Sequence, residues 1–173
     1  MVQRSKHSSR SDEMLRLWLR LLKCSNLIES QIRSRLRAKF DSTLPRFDLL
    51  AQLHAAENDN QPGLLMGDLS RRLMVTNGNL TGLTERLVKE RLVTRSVSTR
   101  DRRSQRISLT ASGRRALKKM AAEHRQWIEE MLAPLSRNDM ESLSRLLKRL
   151  RESVQTALPS QHETRDAAGG SND

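Results

Sequence analysis

Apolar residues along this chain recur mostly at steps of three and four, and at steps of two in one short stretch. Leu15, Trp18, Leu19, Leu22, Ile28, Ile32, Leu36 and Phe40 keep the helical step behind a Ser11-Asp12-Glu13 start. They predict a helix of roughly 30 residues, on the order of 40 Å long, and such a length calls for a partner helix. Leu44-Pro45 opens a second helix with proline in its first turn, and Phe47, Leu50, Leu53 and His54 share one face. The run Asn58 to Gly63 closes it as a loop. Asp68 to Leu73 gives a short helix bearing Leu69, Leu73 and Met74. Thr76 is an N-cap for a second short helix with a Leu80, Leu83, Leu87 stripe. Asn77-Gly78 also fits a hairpin turn; the leucine stripe three residues on favours the helix.

The period then changes. Leu92 to Val97 and Gln105 to Leu109 alternate apolar with polar, which predicts two strands flanking a charged tip, Thr99 to Ser104. Thr110 caps another long helix, with Leu117, Met120, Ala121, His124, Trp127, Ile128 and Met131 on one face and Ala133-Pro134 at its end. Ser136-Arg137-Asn138-Asp139 has capping-box spacing with Asp in the fourth place. Met140, Leu143, Leu147, Leu150 and Val154 then form a coiled-coil-like seam. From Pro159 the chain turns polar and rich in Gly and Ser, and disorder is expected.

Short helix, turn, short helix and basic hairpin together describe a winged helix-turn-helix. The expected fold class is mainly α with a small β-hairpin wing, joined to a helical dimerisation lobe. The expected organisation is a flexible N-terminus (1–11), a dimerisation helix (12–44), a winged helix-turn-helix lobe (45–113), C-terminal dimerisation helices (114–158) and a disordered tail (159–173).

Charge sharpens this picture. The net charge is +12. Thirteen Lys or Arg against four Asp or Glu fall between Met66 and Lys118, leaving +9 on about a third of the chain. Localised basic charge points to a polyanion such as nucleic acid. One cysteine, Cys24, excludes an internal disulfide framework and fits a reducing compartment. No apolar run reaches the roughly 18 residues of a membrane span, and no secretory h-region follows the basic start, so a cytoplasmic protein without membrane contact is expected. No Gly-rich phosphate loop, nucleophile elbow or metal-ligand cluster occurs; an enzyme, a cofactor and a metal are not expected.

Candidate DNA-reading groups lie away from the leucine stripe: Thr76, Asn77, Asn79, Thr81, Arg86 and Lys89. Asn can pair with an adenine edge and Thr with bases or a thymine methyl. Gly78 and Gly82 each cost about 1 kcal/mol of helix propensity, but on the outer face they let DNA come close. An ordinary solvated helix face is the alternative.

The stretch from Leu65 to Gly113, through LSRRL, NLTGLTERLVKERLVTR and STRDRRSQRISLTASG, resembles the MarR family of bacterial transcriptional regulators. With the long flanking helices and the Leu44-Pro45-Arg46-Phe47 start, the resemblance extends over about residues 12 to 156. It implies a homodimer, with the first and last helices forming the dimer lobe. It implies Arg86 on phosphate, Asp101 bracing the wing through Arg95 or Arg103, and Arg100 or Arg102 entering the minor groove. One departure stands out: the family usually has glycine where this chain has Arg91, a position that commonly needs a left-handed backbone.

The resulting expectation is a homodimeric, sequence-specific repressor that binds a palindromic operator in double-stranded DNA. A small anionic effector, an aromatic acid or its CoA thioester, would release it. Trp18, Arg46, Phe47, Leu50, His54 and Trp127 are the candidate effector residues; packing or surface roles compete for each, and His124 is weighed in the same way. Cys24 is read as a small buried hydrophobe, with redox sensing as the alternative. A non-specific architectural nucleic-acid-binding protein is the other reading, weakened by an aromatic content of only 2%.

Overall fold

The computed structural model describes residues 3–97 and 105–157, with side chains from Arg10 onward. The order of elements is α1 (Gln3–Phe40), α2 (Leu44–Asn58), β1 (Leu64–Leu65), α3 (Met66–Leu73), α4 (Asn77–Lys89), β2 (Val93–Val97), β3 (Gln105–Leu109), α5 (Ala111–Leu132) and α6 (Arg137–Ala157). This is the expected class: mostly helical, with one small antiparallel sheet. Contacts divide the chain into two units, breaking between Met131 and Leu132.

In the first unit leucines make up more than half of the buried core. Leu36 of α1, Leu49, Leu50 and Leu53 of α2, Leu69 of α3, and Leu80 and Leu87 of α4 are fully buried together with Ile107 of β3. Each such burial contributes about 1.5–3 kcal/mol relative to exposure. Ion pairs Lys39–Glu123 at 2.6 Å and Arg35–Glu130 at 2.7 Å fasten the second half of α1 to α5. Trp127, buried on α5, meets the Phe40 ring at 6.4 Å and carries the Arg35 guanidinium at 5.9 Å.

Helix α1 begins earlier than the Ser11 start expected from its cap, so the stretch 1–11 read as a flexible N-terminus is helical from Gln3. Only its second half is packed; Met14, Leu15, Leu17, Trp18, Leu19, Leu21, Leu22 and Leu27 are exposed. Cys24 is exposed as well, which overturns its reading as a small buried hydrophobe within the chain. It lies on the exposed first half of α1.

The turn between α3 and α4 is built without glycine. Met74 takes the left-handed conformation (φ 53°) with its side chain in solvent. Ser70 Oγ donates to the Val75 carbonyl at 2.6 Å, and the Val75 N–H returns to the Ser70 carbonyl. Two left-handed non-glycine residues elsewhere, Asp41 and Asn60, sit in the loops on either side of α2.

The sheet has one more strand than the alternation predicted. Its order is β1-β3-β2, with Leu64 opposite Ile107, and Val93 opposite Leu109. Two residues are too short to leave a period in the sequence, but their environment is specific. A Cβ on Gly63 (φ +122°) would lie 2.3 Å from the Ile107 carbonyl oxygen, so only glycine lets the loop approach β3. Arg106 then donates to the Gly63 carbonyl at 2.7 Å, and Ser108 to the Pro62 carbonyl at 2.6 Å.

In the second unit, α6 opens with the expected capping box. Ser136 N–H donates to Asp139 Oδ2 at 3.1 Å, and Asp139 N–H donates to Ser136 Oγ at 3.2 Å. Those bonds from Ser136 hold the Asp139 carboxyl below its ordinary value. Met140, Leu143, Leu146, Leu147, Leu150 and Val154 are all exposed, and α6 has no buried residue.

Candidate nucleic-acid interface

Helix α4 has one face in the core and one in solvent. Leu80, Thr84 and Leu87 are buried, and Leu83 half-buried, whereas Asn77, Gly78, Asn79, Thr81, Arg86 and Lys89 are outside. Thr84 is the residue the hydrophobic pattern misses. Its hydroxyl donates to the Leu80 carbonyl at 2.8 Å, so a polar side chain can be buried without an unmet bond.

The outward residues divide by task. Thr76 accepts from the Asn79 N–H at 3.5 Å and is the N-cap, which places it in the helix start rather than among free donors. Thr81 donates to the Asn77 carbonyl at 2.9 Å, leaving its methyl and its oxygen lone pairs outward. Nothing lies within 4 Å of a Cβ built on Gly78 or Gly82. The outer face is therefore open to a flat or grooved surface, with Arg86 and Lys89 basic in the last turn.

The hinge after α4 is where the sequence departed from the family pattern. Arg91 takes the left-handed conformation (φ 57°) that glycine would supply, so the usual backbone is kept despite the side chain. Three things hold it. The Arg91 N–H donates to the Val88 carbonyl at 2.9 Å, and the Leu92 N–H to the Leu87 carbonyl at 2.9 Å. Thr110 Oγ1 lies 2.7 Å from the Arg91 carbonyl and accepts from the Gly113 N–H at 2.9 Å. Gly113 is forced by proximity, since a Cβ there would lie 2.0 Å from the Leu92 carbonyl oxygen. One threonine thus ties the helix exit, the start of β2 and the first turn of α5 together.

At the wing base Arg95 is half-buried, and its Nε and Nη2 have no partner among the described residues. It lines a cleft of about 520 Å³ with Asn77 and Thr81 of α4 and Asp68 and Arg71 of α3. The tip residues Arg100, Asp101, Arg102 and Arg103, expected to brace the wing and touch DNA, lie outside the described residues.

The six effector candidates do not converge on one pocket. Arg46 and Leu50 line a cleft of about 430 Å³ together with Arg115 and Lys119. Phe47 and His54 line another of about 630 Å³ together with Arg114, Lys118 and Arg125. Trp127 is buried against Phe40 and lines neither, and Trp18 is exposed on the unpacked half of α1. His54 approaches Glu57 at 3.8 Å, and Glu57 also accepts from Arg114 at 3.2 Å. Phe47 also stacks on His124, with ring centroids 4.9 Å apart; partial burial of that imidazole lowers its pKa from 6.5. The sequence reading missed Arg115 and Lys119. Their step of four on α5 was visible, but nothing local said which cleft they would face.

The architecture agrees with what is found among known proteins. A MarR family model matches residues 42–105. The transcriptional activatory protein BadR of Rhodopseudomonas palustris is 34% identical over 135 residues, covering 77% of this chain and 75% of that protein. The chain belongs to the MarR family. A MarR family transcriptional regulator from Silicibacter pomeroyi superposes with a TM-score of 0.69 at 33% identity, over 84% of this chain and 98% of that one. The S. aureus MepR-DNA complex superposes at 0.67 with 23% identity, over 77% of this chain and 94% of that one, a likeness of fold alone. MarR family members are transcriptional regulators rather than enzymes, and no described helix is long and apolar enough to cross a membrane.

Proposed function

We propose that this MarR family chain is a homodimeric regulator that binds a palindromic operator in double-stranded DNA and responds to a small anionic ligand. The observation that carries the DNA reading is the outer face of α4. It presents Asn77, Asn79, the Thr81 methyl and two open glycines beside basic Arg86 and Lys89, all anchored from behind by buried Leu80, Thr84 and Leu87. Such a face suits the major groove, with asparagines toward base edges and the basic last turn toward phosphates. The wing tip, Arg100 or Arg102 reaching and Asp101 bracing through Arg95 or Arg103, completes the proposed interface.

The dimer is supported by the uncovered apolar residues of the first half of α1 and of α6. Stretches of this size on a single chain mark an interaction surface. Two copies related by a two-fold axis would present their α4 helices one helical turn of DNA apart. Ligand-released repression is one output of such a dimer. The R. palustris relative is named an activatory protein, so activation is the other output to test.

Selection of bound duplexes from a random pool tests this reading, followed by competition with unselected DNA. Sequence-specific binding predicts a clear preference for a palindromic product; equal affinity would favour a non-specific architectural protein. With six to ten phosphates contacted, affinity should fall roughly 10³–10⁵-fold between about 50 and 200 mM salt. Replacing Arg102 by Ala should weaken all duplexes alike, whereas Asn77→Ala or Asn79→Ala should change which duplex wins.

A further inference from the structure

Helices α2 and α5 run antiparallel and are pinned together at two levels. Phe47, near the start of α2, stacks on His124 in the second half of α5. Glu57, near the end of α2, accepts from Arg114 Nε in the first turn of α5 at 3.2 Å. The 630 Å³ groove follows this seam, lined by α2 from Phe47 to Asn58 and by α5 from Arg114 to Arg125. Each stretch is about 16 Å long, or three helical turns.

The floor of the groove is carbon. Ala51, Ala55, Ala121 and Ala122 offer nothing beyond Cβ, and the buried Phe47 and Leu117 complete it. Small residues on both walls let a further helix come to the separation of about 8–10 Å at which helices pack. The rim is basic along α5. Lys118 and Arg125 are exposed, seven residues or about 10 Å apart on one face. Neither has a salt-bridge partner among the described residues. No carboxylate lines the groove, because Glu57 is engaged with Arg114 and His54.

We propose that this groove is a docking surface for an acidic amphipathic helix of another protein. An apolar floor three turns long suits a helix laid in by its apolar face. Two unspent cations two turns apart suit carboxylates at the same spacing on that helix's flank. The chain's own uncovered helices bring the wrong charge. Between Met14 and Leu27, α1 carries Arg16, Arg20 and Lys23 and no acid; beside its seam, α6 carries Arg145, Lys148, Arg149 and Arg151 against Glu141 and Glu152. A second copy would therefore set like charge against the rim. A DNA duplex would satisfy the cations but press sugar and phosphate onto a carbon floor. No residue of α3, α4 or the sheet lines the groove, so an occupant leaves the proposed DNA face open. The chain can then hold an operator and a partner protein at the same time.

The test uses the full-length protein and a fluorescent, end-capped, alanine-rich peptide of about 16 residues. The peptide carries leucines on one helical face and glutamates seven residues apart on its flank; a scrambled peptide of the same composition is the control. Anisotropy at about 150 mM salt should show the amphipathic peptide binding at least tenfold more tightly than the scramble. Lys118→Glu with Arg125→Glu should weaken it roughly tenfold. Ala55→Gln with Ala122→Gln should do the same by bulk, since both sites are exposed and glutamine keeps the helix. All four substitutions should leave self-association and affinity for a selected duplex within about twofold, and that duplex should not displace the peptide. Equal binding of the scramble overturns the proposal, since it would show attraction to charge alone. Full binding by the glutamine pair overturns it too. If that pair weakens self-association, the groove is an interface between copies; if the glutamate pair weakens the duplex, the face belongs to DNA. Either result replaces the proposed occupant. Failure to select any duplex would defeat the DNA reading alone, because the peptide measurements stand without it.

Discussion

Leucines at the same helical spacing meet opposite fates in two parts of the molecule. Leu49, Leu53, Leu69, Leu80 and Leu87 are wholly buried among α2, α3, α4 and the sheet. Leu15, Leu17 and Leu19 on α1, and Leu143, Leu146 and Leu150 on α6, are about half exposed. The difference does not lie in the residues or their period. It lies in whether the chain itself supplies a second apolar surface: three short helices and a sheet cover one another, and a long helix outruns what a chain of this size can cover. The first group holds one chain together, and the second is proposed to hold two.

The largest break in that contrast should come from Leu15→Glu with Leu19→Glu. Removing two leucines from a dimer interface forfeits about 3–6 kcal/mol, so self-association measured by ultracentrifugation should weaken by at least a hundredfold while far-UV circular dichroism of the monomer is kept. An unchanged dimer would mean that this half of α1 is not the interface. Leu80→Ala acts on the other group and should lower unfolding free energy by about 2–5 kcal/mol, whereas Leu146→Ala should leave the denaturation midpoint of a dilute monomer unmoved. Gly113→Ala should cost about 1–3 kcal/mol, because the Leu92 carbonyl cannot retreat without opening the Thr110 tie.

The smallest effect is expected at the edge of the core. His124 stacks on Phe47 and its pKa is lowered by burial. A depressed imidazole pKa means that the unfolded chain takes up the proton first, so stability falls as pH drops from 6.5 toward the folded value. Thermal unfolding at pH 7.5 and 5.5 should show a larger loss for the parent than for His124→Gln; equal losses would mean that the imidazole is not the group responsible.

Most of the fold was legible because each signal was local. Thr76, Thr110 and the Ser136–Asp139 box announce helix starts, the Leu80 to Leu87 stripe fixes the inward face of α4, and Gln105 to Leu109 alternates over the whole of β3. What escaped depends on distant partners. The strand β1 is two residues whose only reason to be extended is β3, some forty residues later. Thr84 reads as polar surface until its hydroxyl is seen on the Leu80 carbonyl. The effector candidates are scattered for the same reason. In the fold, Arg46 and Phe47 are adjacent in sequence yet line different clefts, since neighbouring residues on a helix point about 100° apart. Arg91 was recognised as anomalous, but only the fold shows that the left-handed turn survives without glycine, held by Thr110.

The brevity of β1 has a mechanical consequence. Leu65, its last residue, is also the N-cap of α3, so no slack separates the strand paired to β3 from the first helix of the helix-turn-helix. Strand β3 is clamped on both sides, by β2 along five residues and by β1 along two. The wing and α3 therefore form one lever with β3 as its spine. A duplex that tilted the wing, as in the proposed complex, would carry α3 with it, and α4 would follow through the Met74 turn. In the proposed complex, sequence-dependent DNA shape beneath the wing would thereby set the angle at which α4 meets the bases.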